Sequence, residues 1–177
     1  MKKYERFILG LLASVCLILQ IIFGIALVFT FIAIAFTDSR QELSQVLTSS
    51  LEIAHSSLSP AFIIFYLIVF CVISIILMIS YLNCIRNLLQ NLNEELYFDE
   101  RNLKLIKKTF IYYGSATLAE ILVSIVNNLY HINLLSQDSS NNILYLFKGA
   151  LMVLGIYVIY MVFQQGMRLK KESDAFI

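Results

Sequence analysis

Apolar and polar positions divide the chain into four long apolar blocks, 7–36, 61–85, 110–130 and 143–166. Each has the roughly 20 residues that a helix rising 1.5 Å per residue needs to cross a hydrocarbon core of about 30 Å. Hydrocarbon offers no water to satisfy backbone N–H and C=O groups, so each block is predicted to be α-helical. The first is longer than a crossing requires and can tilt or project beyond the bilayer. Between the blocks lie two outer loops, 37–60 and 131–142, and one charged loop, 86–109. The predicted architecture is all-α: a single four-span membrane domain over 1–177, with an amphipathic cytoplasmic helical hairpin and a short outer helix.

Composition agrees. Of the 177 residues 59% are apolar and 14% charged, and the mean hydropathy is +0.80. A soluble globular domain is about 45–50% apolar, and one of this size cannot hide the excess. The net charge of +1 argues against direct nucleic-acid binding, which favours strongly basic domains. Abundant Ile, Leu, Asn and Lys suggest a bacterial source. Lys2, Lys3 and Arg6 resemble the start of a signal peptide, and "LASVC" up to Cys16 resembles a lipoprotein cleavage site. The apolar run nevertheless continues for twenty residues past Cys16, about twice the length of a signal core, so the block reads as a retained span.

Charge sets the orientation. Eleven of the 13 Lys and Arg residues fall at the N-terminus, in the central loop (Arg86, Arg101, Lys104, Lys107, Lys108) or in the tail (Arg168, Lys170, Lys171). Only Arg40 and Lys148 lie on the other side. The positive-inside bias predicts a bacterial plasma-membrane protein with both termini and the charged loop in the cytoplasm. On the outer side, "SRQE" (Ser39 to Glu42) fits a capping box. Leu43, Val46, Leu47, Leu51, Ala54 and Leu58 follow at helical spacing, which predicts an amphipathic helix on the outer interface.

The charged loop reads as a helical turn. Ile85, Leu88, Leu89, Leu92 and Leu96 continue an apolar stripe from the second span. Asp99 then suits an N-cap, Glu100 the positive end of the new helix dipole, and Phe98 with Leu103 a hydrophobic staple. Lys104, Lys107 and Lys108 fall at the level of anionic headgroups. The segment "LLQNLNEELYFDERNLKLIKK" (88–108) resembles the cytoplasmic loop of small bacterial four-span proteins of domain-of-unknown-function family 2975. The usual pattern there is Phe-Thr-x-Glu-Asn before a basic helix. Phe98, Asn102 and Leu103 match it, Asp99 replaces the Thr with another capping residue, and Arg101 stands where Glu is common. Such proteins are often encoded beside a small helix-turn-helix regulator. The resemblance therefore implies a membrane partner of a cytoplasmic regulator. Leu92, Leu96 and Phe98 form an apolar edge that suits a docked helix or packs under the bundle, and with Asp99, Asn102 and Leu103 they are the candidate partner-binding residues.

A second feature lies within the third span. Glu120 sits near the midplane, where a carboxylate costs roughly 2.5–3.5 kcal/mol and should face protein or water. Tyr113, Thr117, Glu120, Ser124, Asn127 and His131 recur at steps of three or four and form one polar face. Gln20, Ser74, Tyr157 and Tyr160 are candidate partners on other spans. This face suits an ion, proton or small-substrate site, or hydrogen-bonded glue between helices.

Sequence motifs predict no enzyme, cofactor or metal site. His55 and His131 belong to the outer loops, and Glu94-Glu95 lacks the Arg and His residues of the paired-glutamate membrane proteases. Cys16, Cys71 and Cys84 lie in spans and read as packing residues. Three functions are compatible with the pattern: a regulatory partner, a small transporter or accessory subunit using Glu120, and immunity against a membrane-active peptide centred on the outer segment. The bilayer is an expected partner. The small residues Gly10, Ser14 and Gly24 permit close helix packing, against another span of the same chain or against a second copy in a homo-oligomer.

Overall fold

The computed structural model describes residues 3–36, 51–52, 60–130, 133–134 and 139–174. Helix α1 spans Lys3–Phe36, α2 Pro60–Asn93, α3 Glu100–Leu129 and α4 Ser139–Asp174. All four are long and apolar enough to cross a membrane, and the protein is a multi-pass, four-helix membrane bundle. The chain's single Pro, Pro60, opens α2, where a missing N–H costs nothing. That helix runs unbroken through the amphipathic stripe to Asn93, because Leu88, Leu89 and Leu92 keep the helical period.

Leu51–Glu52 (β1) and Asn133–Leu134 (β2), in the α1–α2 and α3–α4 connections, pair in an antiparallel ladder, Leu51 opposite Leu134 and Glu52 opposite Asn133. The sequence pattern places Leu51 inside an outer helix, yet the chain there is extended, its backbone groups taken by the partner strand. Ser39–Glu42 and the other positions of that expected helix lie outside the described residues, as does His131.

The extensive packing joins helices consecutive in sequence: α1 on α2, α2 on α3, and α3 on α4. Gly149 brings α4 close to α3, since a Cβ at that position would stand 2.9 Å from Thr117 Cγ2. Few side chains are enclosed, among them Ala13, Ile63, Leu82, Cys84, Ile106 and Met167. Large apolar residues such as Ile18, Phe29, Phe65, Leu122 and Val162 point outward, as a lipid-solvated exterior requires. Hydroxyls on the spans bond their own helix: Thr30 Oγ1 donates to the Ala26 carbonyl at 2.8 Å, Ser80 Oγ to Ile76 at 2.9 Å and Thr117 Oγ1 to Tyr113 at 3.0 Å. Polar atoms are thereby satisfied without water.

Candidate functional site

The start of α1, the turn 94–99 and the end of α4 meet at one end of the bundle. This basic end is closed by a clasp built on the Phe-x-x-x-Asn-Leu segment. Helix α2 finishes in a Schellman arrangement: the Leu96 N–H donates to the Asn91 carbonyl at 3.0 Å and the Glu95 N–H to Leu92 at 3.1 Å. Glu95 occupies the left-handed position with φ 64°, usually given to Gly. Its carboxylate accepts from Arg6 Nη2 at 2.5 Å, so the strained residue also ties α1 to the turn. Two opposed effects follow. Glu95→Gly loses the ion pair and relieves the backbone, whereas Glu95→Ala loses the pair and keeps the strain. Thermal unfolding should therefore rank the Ala variant below the Gly variant.

Hydrogen bonding from the Arg6 guanidinium holds the Glu95 carboxyl below its usual 4.5. A depressed carboxylate contributes stability that is fully present above the unfolded value and is lost as pH falls through the folded one. Amide protection factors across residues 94–99, referred to the intrinsic exchange rate at each pH, should thus fall below about pH 4.5 in the parent, and show no such step in Glu95→Gln.

Asn102 is the centre of the clasp. It is fully buried. Its Oδ1 accepts from Asn91 Nδ2 at 2.6 Å, and its Nδ2 donates to the Tyr97 carbonyl at 3.1 Å and also to that of Leu96. One side chain thus fastens the turn to both α2 and α3. Asp99 caps α3, its Oδ1 accepting from the Arg101 N–H at 2.8 Å. The Phe98 ring lies against α4, 5.7 Å from Phe163 between centroids, in the notch left by Gly166. Lys171 Nζ donates to Glu100 Oε1 at 2.8 Å and joins the end of α4 to the start of α3.

Beside the clasp, a groove of about 550 Å³ runs between α3 and α4. Leu103 and Met167 supply apolar lining, with Gln164 beside them, and Glu100, Lys104, Arg168, Lys171 and Glu172 supply both signs of charge. Of the six residues the sequence pattern offers for partner binding, Leu103 lines this groove and Leu96 and Phe98 are partly exposed. Leu92 is half-buried in the last turn of α2. Asp99 Oδ1 caps α3, and both amide atoms of Asn102 are engaged, by Asn91 of α2 and by the turn.

Deeper in the bundle, a pocket of about 390 Å³ lies between α2 and α3 and reaches Phe23 of α1. Tyr113, Thr117 and Glu120 of the polar face line it, opposite Ser74 and Tyr81. Glu120 is exposed at its rim. Ser124 is half-buried, and Asn127 is buried with neither amide atom partnered among the described residues. Gln20 is placed elsewhere: its Oε1 accepts from Arg86 Nη1 at 3.3 Å, nearer the basic end. Tyr157 packs its ring 5.9 Å from Phe110.

The sequence pattern did not single out the Asn91–Asn102 bond, the Gly166 notch or the Gln20–Arg86 pair. The signals for the first two are a polar residue three positions beyond an N-cap and a lone glycine within a helix.

No curated protein and no solved structure matches the chain. The family described as "Protein of unknown function (DUF2975)" matches residues 42–177, a stretch that holds the clasp except Arg6, the groove, and all but the Phe23 wall of the deep pocket. The chain belongs to that family.

Proposed function

We propose that the protein is a non-catalytic bacterial membrane regulator that holds a cytoplasmic protein, such as a helix-turn-helix transcription regulator, at its basic end. The observation that carries this reading is the groove between α3 and α4, with apolar Leu103 and Met167 flanked by charges of both signs. Such a groove suits an amphipathic helix: apolar anchors give affinity and the charged rim sets register. The basic residues gathered at this end favour a cytoplasmic placement.

The test is co-purification of the tagged full-length chain from native membranes in mild detergent, followed by mass spectrometry. Parallel samples carry Gln164→Arg or Lys104→Glu, both at exposed groove positions. A soluble regulator recovered with the parent and lost with both variants, at equal membrane abundance, is the expected result. Full retention by both variants, or no soluble partner at all, contradicts the reading.

A further inference from the structure

We propose that the deep pocket between α2 and α3 binds a lipophilic organic cation that enters from the bilayer. This site is separate from the groove and independent of the docking reading. Its volume of about 390 Å³ falls in the range of small-molecule sites, about 300–1,000 Å³. Its walls are aromatic: Tyr81 and Tyr113 stand 5.5 Å apart between ring centroids at 43°, forming a corner, and Tyr112 and Phe23 add further rings. Glu120 lies two turns along α3 from Tyr113, about 10 Å at 1.5 Å per residue, with Ser74 opposite.

The lining has one sign. It includes a carboxylate and, among the described residues, no Lys, Arg or His. Aromatic faces attract cations through their quadrupole, so walls and carboxylate select the same charge. An anion of the same shape meets repulsion from both.

The route of entry follows from exposure. Glu120 of α3 and Met78 of α2 stand exposed at the rim. Both helices are long and apolar enough to cross a membrane, so the mouth lies at the depth of the hydrocarbon. A ligand must therefore carry an apolar body with its charge.

The probe is tetraphenylphosphonium, with tetraphenylborate as the anion of matching shape. Equilibrium dialysis is run against the full chain in phosphatidylcholine nanodiscs, with empty discs subtracted. One saturable phosphonium site per chain is expected, weakened at least about tenfold by Glu120→Gln and also lost in Ala116→Phe, which fills the pocket while leaving the carboxylate in place. The borate should show no saturable binding. Protection of the buried Cys84 thiol from labelling verifies that each variant is folded. The proposal is overturned if the parent shows no saturable phosphonium binding, if folded Glu120→Gln binds within about twofold of the parent, or if the borate saturates the same site.

Discussion

Replacing Asn102 by Ala lowers the stability of the folded protein by about 2–4 kcal/mol, a large effect for one substitution. The size follows from what the side chain satisfies. Removing it orphans the Asn91 amide and takes a donor from the carbonyls of Leu96 and Tyr97. Each buried polar group left without a partner costs about 1–3 kcal/mol. The exposed turn lets water reach the carbonyls, which keeps the total below the sum of three such terms. Asn102→Asp should be nearly as damaging, because a carboxylate cannot donate to either carbonyl. Asn91→Ala should cost less, about 1 kcal/mol, and the double variant should be markedly non-additive. Thermal labelling of the Cys84 thiol, buried two turns before Asn91 on α2, reads these differences in a background without Cys16 and Cys71. A change below about 0.5 kcal/mol for Asn102→Ala, the range of ordinary surface substitutions, would remove Asn102 from the centre of the clasp.

Gly166→Ala costs about 1–3 kcal/mol, as overpacking of a filled site does. A Cβ at position 166 would stand 2.7 Å from Phe98 Cδ1 and 2.9 Å from Cζ, well inside contact distance, so the ring must leave α4. With it goes the Phe98–Phe163 pair, worth about 0.5–1.5 kcal/mol. Phe98→Ala alone also loses that pair, but it leaves the notch empty instead of filling it. The double variant Gly166→Ala with Phe98→Ala should therefore be no less stable than Phe98→Ala by itself. If the two losses simply add, the methyl and the ring do not compete for the same space.

Four spans were legible because length and hydropathy decide them: a block such as 110–130 can do little in hydrocarbon except form a helix. The N-cap at Asp99 was legible for a similar reason, since its bond to the Arg101 N–H is local. The ring of Phe98 was not. Its staple partner by spacing is Leu103, but the ring also meets Phe163 and Gly166, more than sixty positions away, and no local periodicity encodes that choice. Gln20 shows the same limit. Hydropathy places it in the first span, and only the packing of α1 on α2 brings it to Arg86 rather than to Glu120. The polar face on α3 was half legible. The spacing of Tyr113, Thr117 and Glu120 aligns them, whereas the opposing wall of Ser74 and Tyr81 needs the antiparallel register of α2 on α3.

The clasp unites these observations. Asn102 fastens the turn, Phe98 pins it to α4, and Lys171 with Glu100 ties α4 to α3 along the groove that both residues line. The central claim is that this groove, held open by the clasp, receives a cytoplasmic protein. The most direct test is photo-crosslinking in living bacteria from a benzophenone amino acid substituted at Gln164, in the parent and in Asn102→Ala. The account predicts an adduct with a soluble protein in the parent that is lost in Asn102→Ala at equal membrane abundance. Adducts confined to lipid or to the chain itself, or a protein adduct that persists unchanged in Asn102→Ala, would contradict it.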